Sequence, residues 1–217
     1  EMQRSLVGSE MCIRDRDSSS DKRIVISIYG GSGSGKTTIA AALQQYFLND
    51  NTACYVLTGD NYPHRIPMRN DEERLNVYNE SGEDGLRGYL GTPEEIDFDR
   101  INKELSEFKA GKDIIEIKHM GREDGDISYD ETDFTGIKVL ILEWTHGGSE
   151  YLKGVDIPVF LESSPEETKA RRIKRGRDEN AASPFICRVV ELEQEKLDLQ
   201  GKNARIVVGK DGKVYEQ

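Results

Sequence analysis

Between Gly30 and Thr37 the chain reads Gly-Gly-Ser-Gly-Ser-Gly-Lys-Thr, the spacing G-x-x-x-x-G-K-S/T. An apolar run, Ile24 to Tyr29, precedes it, and Thr38 to Leu43 follows with helical character, so the order is strand, glycine loop, helix. Gly30, Gly31, Ser32, Gly33, Ser34 and Gly35 put little side chain in the loop, which lets successive backbone N–H groups point inward around a phosphate chain. The helix that follows adds its positive dipole end and its unpaired N–H groups. Lys36 has the reach for the β- and γ-phosphates, and the Thr37 hydroxyl suits a magnesium ion, with Thr38 completing the turn. These residues imply a bound nucleoside triphosphate.

Two carboxylates and a run of arginines extend this chemistry from binding to transfer. Glu143 ends the apolar strand Ile137 to Leu142, where an acid faces the magnesium shell or the attacking group. Asp60 follows a second short strand, in Thr-Gly-Asp-Asn-Tyr, and such a carboxylate can take the proton of an attacking hydroxyl or merely close an Asx-turn. Arg171, Arg172, Lys174, Arg175 and Arg177 form the one dense basic cluster. Read as a lid, it places Arg171 or Arg175 against the charge that develops on the transferred group; read blandly, it is a solvated helix face. Tyr62, His64, Arg65, Arg69 and Arg87 are the candidates for contacting an acceptor. Trp144 could floor that pocket or belong to the core.

The elements that must hold these groups alternate along the chain, which predicts a mainly parallel sheet flanked by helices in three layers. Helices are expected after the loop, from Thr92 (N-cap, Pro93 first, Glu95 closing a capping box), from Ser164-Pro165, and from Ser183-Pro184 with Phe185, Val189, Leu192 and Leu199 on one face. Gly82, Gly85, Gly88 and Gly91 read as loop punctuation, Ile114 to Ile117 as an edge strand, and Gly121 to Asp133 as an acidic loop. Ile206 to Tyr215 reads as a closing hairpin. Residues 1–20 show no periodicity and are expected to be an artefactual or disordered leader. A single domain then covers 21–217, with an acceptor-region insertion at 62–133 and a lid at 165–182. The net charge of -11 disfavours nucleic acid, and no apolar stretch approaches the roughly 20 residues of a membrane span. Three scattered cysteines, Cys12, Cys54 and Cys187, suit a reduced, cytoplasmic setting.

With these landmarks in order, the chain resembles the phosphoribulokinase/uridine kinase family of P-loop kinases. The matching stretches are Ile28 to Thr38, Gly59 to Tyr62, Thr92 to Asp99, Ile141 to Glu143, and Val159 to Asp178 with its Arg-Gly-Arg-Asp end. The resemblance implies the P-loop fold, ATP and Mg²⁺ as cofactors, Thr37 and Glu143 at the metal, Asp60 as base and the lid arginines near the phosphates. It further implies a small-molecule acceptor, a hydroxyl of a nucleoside or sugar phosphate. Gly-Asp-Asn also resembles adenylylsulfate kinase, and an NTPase that drives a partner is a third reading. Trp144 stands where uridine kinases usually carry glycine.

Overall fold

The computed structural model describes residues 22–175 and 183–217, so the leader expected at 1–20 and the end of the lid segment lie outside the described residues. Strand β1 (Ile24–Gly30) is the centre of the sheet. It is built from β-branched and aromatic residues and is buried on both faces, as a central parallel strand must be. It pairs in parallel with β5 (Val139–Trp144) on one side and β6 (Ile157–Leu161) on the other. β2 (Cys54–Thr58) lies beyond β5, β7 (Ile206–Val208) beyond β6, and antiparallel β8 (Val214–Glu216) closes that edge. The order is therefore β2-β5-β1-β6-β7-β8, and β5 separates the Asp60 strand from the loop strand.

Alternate residues of β1 feed opposite layers. Ile26 and Ile28 pack with Ile39, Leu43 and Phe47 of helix α1 (Lys36–Asn49). Val25 joins Ile101, Leu105 and Phe108 of α3 (Phe98–Lys109). Tyr29 and Phe160 meet Leu197 of α5 (Pro184–Gly201), their rings 5.3 Å apart. Helix α4 (Pro165–Arg175) opens with the expected capping box: Glu167 N–H donates to Ser164 Oγ, and Ser164 N–H donates to the Glu167 carboxylate. Ser183 caps α5 in the same way, accepting from Ile186 N–H at 3.2 Å. No helix among the described residues is long and apolar enough to cross a membrane.

Four expectations are corrected by tertiary context. The glycine-punctuated stretch is helical: α2 runs Pro67–Tyr89, interrupted only by a kink at Gly82, where φ is 66°. Ion pairs Arg188–Glu83 and Arg87–Glu195, with Leu86 buried against Val189 and Leu192, hold this glycine-rich segment in a helix that its propensity would not sustain. Glu95 is not a capping-box acid, and Asp97 caps α3 instead. The buried Glu95 carboxylate accepts from Asn70, Arg74 and the Gly91 N–H. The strand at Ile114 does not edge the main sheet. It pairs antiparallel, as β3 (Ile114–Met120), with β4 (Ile127–Asp133), which was read as loop because its side chains are mostly exposed and polar. Leu199 is exposed; Val189, Val190, Leu192 and Leu197 form the buried face of α5.

Gly59 is where this packing reaches the site. It opens a 3₁₀ turn, Gly59–Asn61, and a Cβ built on it would lie 1.9 Å from Trp144 Cγ. Gly59→Ala should therefore destabilise the fold by about 1–3 kcal/mol through overpacking, read as a lower urea midpoint with an unchanged m-value.

Candidate active site

The loop from Gly30 to Gly35 joins β1 to α1 and is shaped by close approach. Gly33 and Gly35 hold φ of 88° and 107°, in the left-handed region that favours glycine. A Cβ on Gly31 would sit 2.8 Å from Gln194 Oε1 and 3.1 Å from Ser163 Oγ. Lys36, at the start of α1, folds over the loop and donates to the Gly30 and Gly31 carbonyls at 2.9 and 3.0 Å. Ser34 Oγ, Ser163 Oγ and Arg172 Nε are buried polar atoms with no hydrogen-bond partner among the described residues. Such orphaned groups around a glycine cradle suit a ligand rich in acceptor oxygens.

Parallel register brings the acids to the same end of the sheet. Glu143 lies opposite Ile28 of β1 and Thr58 of β2. Its carboxylate accepts from Thr37 Oγ1 at 3.1 Å and from Thr58 Oγ1 at 3.3 Å. A hydroxyl beside a carboxylate is the hard-oxygen donor set that suits Mg²⁺, which takes few protein ligands and completes its shell with phosphate and water. Asp60 is exposed in the turn after β2, near enough for its charge to act on Glu143. Burial first, then Asp60, raises the Glu143 carboxyl above its ordinary range, with Lys36 and the two hydroxyls opposing.

The arginine run meets the loop from the other side. Arg171 Nη1 donates to Gly33 O at 3.2 Å, and buried Arg172 stacks its side chain on Gly33. The side chain of Arg175, the other catalytic candidate, and residues 176–182 lie outside the described residues. Three contributors were missed in the sequence: Thr58, Ser163 and Thr168, the last packed on Gly33. Hydroxyls at strand ends and in first helical turns carry no motif, so only their placement identifies them.

The acceptor candidates divide. Arg65 and Arg69 line a hollow of about 410 Å³ together with Glu72, Glu73 and Asn76 of α2, and Asp124 from the β3–β4 turn. Asn61 Oδ1 accepts from Met120 N–H at 3.3 Å and holds the turn after β2 against β3. Tyr62 and Trp144 do not line it. They are 0% and 2% exposed, packed in the α3 core, so the reading of Tyr62 as an acceptor contact is corrected and Trp144 takes the core alternative. Arg87 is corrected too: it pairs with Glu83, Asp84 and Glu195 and joins α2 to α5. His64 is exposed, hydrogen-bonded to Pro93 O at 3.0 Å, and does not line the hollow.

Residues 25–191 match the model of the phosphoribulokinase / uridine kinase family. The chain belongs to this family. It therefore carries an ATP-dependent kinase domain with a nucleotide-binding P-loop. It is 74% identical over 201 residues to a bifunctional alpha-galactosidase/sucrose kinase of Mediterraneibacter gnavus, matching 93% of this chain and 22% of that one. The chain thus spans about a fifth of that relative's length. It is 30% identical over 166 residues to a uridine kinase of Brevibacillus brevis, covering 74% of this chain and 69% of that one. In fold it is similar to phosphoribulokinase from Rhodobacter spheroides, with a TM-score of 0.63, 14% identity, and coverage of 88% and 71% of the two chains.

The raised Glu143 carboxyl makes a stability test. A group raised in the folded state contributes stability that is full below its unfolded value and is lost as pH rises through its folded value. Glu143→Gln should accordingly melt higher than the parent at about pH 8, with the gap closing toward about pH 4. Should the carboxylate serve a bound Mg²⁺, as proposed below, the same variant loses roughly 10–100-fold in turnover, the usual size of effect when a metal-shell partner is removed. Thermal melts across pH, paired with a coupled assay, check both.

Proposed function

We propose that this kinase domain transfers the γ-phosphoryl group of ATP to a hydroxyl of a sugar of the sucrose type. The observation that carries the reading is the 74% identity, over 93% of the chain, to an enzyme named for sucrose kinase activity. The acceptor hollow supports it. Besides Ile66, Gly125 and Ile127 its lining is carboxylates, guanidiniums and an amide, with no aromatic side chain, which matches hydroxyl recognition better than the stacking of a nucleobase. A uridine-like acceptor is the second reading, supported by the Brevibacillus brevis relative.

In this reading the triphosphate lies along Gly30 to Thr38, and Lys36 leaves the Gly30 and Gly31 carbonyls for the β- and γ-oxygens. A second hollow of about 150 Å³, lined in part by Ser34, Ile39, Arg171, Gly209 and Lys210, takes the nucleoside end. Thr37 and Glu143 would hold Mg²⁺, which would supply positive charge beside the phosphates. Asp60 accepts the proton of the attacking hydroxyl, and Arg171, with Arg175 from the lid, balances charge on the transferred group. Closure of that lid keeps water from the reacting phosphate. The setting is the cytosol, where ATP is supplied and where Cys54 and Cys187 stay as free thiols.

A screen with labelled ATP and Mg²⁺ should show transfer to sucrose and little to uridine. Asp60→Ala should keep nucleotide affinity and lose about 10²–10⁴-fold in kcat, the range of a positioned general base. Hydrolysis of ATP that no acceptor stimulates would rule the kinase reading out.

A further inference from the structure

Both arginines that line the acceptor hollow are engaged by its own wall. Arg69 Nε and Nη2 donate to the two oxygens of Asp124 at 3.1 and 2.6 Å, and Nη1 donates to Glu72 at 2.9 Å. Arg65 lies 3.5 Å from Glu73 and donates to the Tyr89 hydroxyl at 3.3 Å. Two guanidiniums face three carboxylates there, Glu72, Glu73 and Asp124, which leaves the lining one charge negative. Among the described residues, no cation in that lining stands apart from a carboxylate.

That balance discriminates between acceptors. A phosphate or sulfate group entering the hollow would have to displace Asp124 from Arg69 and then sit beside the released carboxylate. A hydroxyl has no such conflict, since it donates to a carboxylate and accepts from a guanidinium at once. The Arg69–Asp124 contact is bidentate and spans 55 residues of sequence, from α2 to the β3–β4 turn. It thereby fastens the hairpin turn to the helix that supplies the rest of the lining. Both side chains are exposed, at 47% and 60%, so the pair rearranges without disturbing the core.

Resting on the sugar-kinase reading, we propose that the Arg69–Asp124 pair is a specificity determinant that confines the acceptor to uncharged polyols and turns away their phosphorylated forms. The bidentate fork that Arg69 gives Asp124 is the same fork a phosphate would need.

The test compares sucrose with sucrose 6-phosphate, and uridine with uridine monophosphate, on the intact chain. Calorimetry in the presence of a non-hydrolysable ATP analogue gives the affinities, and these are the readout because a phosphorylated member has no free accepting hydroxyl. The parent should favour the neutral member of its acceptor pair by about tenfold or more, and Asp124→Asn should shift that ratio toward the phosphorylated member by about tenfold. The shift should fall in the Kd of the phosphorylated member. Asp124→Ala should move the ratio in the same direction, and unchanged binding of the ATP analogue shows that both variants are folded. If uridine proves to be the acceptor, the sugar reading fails while its own pair still reads the charge effect. A parent that accepts the phosphorylated form equally, a ratio unmoved in the folded variants, or binding of neither member would overturn the proposal.

Discussion

The hydrogen bonds that Glu143 accepts from Thr37 and Thr58 are the contacts on which the reacting end of this molecule depends. They join the helix after the phosphate loop, the neighbouring strand end and the strand that leads to Asp60. The arrangement follows from register: Ile28, Glu143 and Thr58 lie side by side in three parallel strands, so their C-terminal ends open on one crevice. The cost is a carboxylate held partly away from water beside another acid, which is why its proton affinity is raised. A cation bound there would relieve that unfavourable charge.

Behind this crevice the packing is aromatic and tight. Trp144 lies 5.6 Å from the Phe98 ring and 6.2 Å from Tyr62, and its ring leaves no room for a side chain at position 59. Asp60 is thus presented by a turn whose backbone is pressed against a buried indole. The tryptophan positions the acid from behind, through van der Waals contact, and needs no polar contact with a ligand to matter.

The side of the molecule formed by α2 and α5 is organised by charge as well as by apolar packing. Glu95 at the centre binds Asn70 and Arg74 of α2, and Arg74 continues to Glu193 of α5. Further pairs, Arg87 and Arg188 with Glu83 among them, run along the same two helices. Arg74, shared between Glu95 and Glu193, ties α2 to α5 from within the fold. This gives a wall on which the exposed Arg65, Arg69 and Asp124 groups can act as an adjustable rim.

The phosphate loop, the two acids, the basic helix and the parallel sheet were all legible in the sequence, because each depends on local spacing or strand periodicity. The capping boxes at Ser164 and the cap at Ser183 were legible for the same reason: they close over three residues. The helix through Gly82, Gly85 and Gly88 was not, because its stability comes from partners such as Glu195 and Arg188, more than a hundred residues away. The hairpin partner of β3 was hidden by its polar composition, and Glu95 carried a capping signature while its buried surroundings assigned it elsewhere. The acceptor region divides along the same line. Sequence alone nominated its arginines, but only the tertiary structure paired Arg69 with Asp124, buried Tyr62 and Trp144, and drew Arg87 into the helix contact, since long-range electrostatics and packing choose partners that local spacing does not encode.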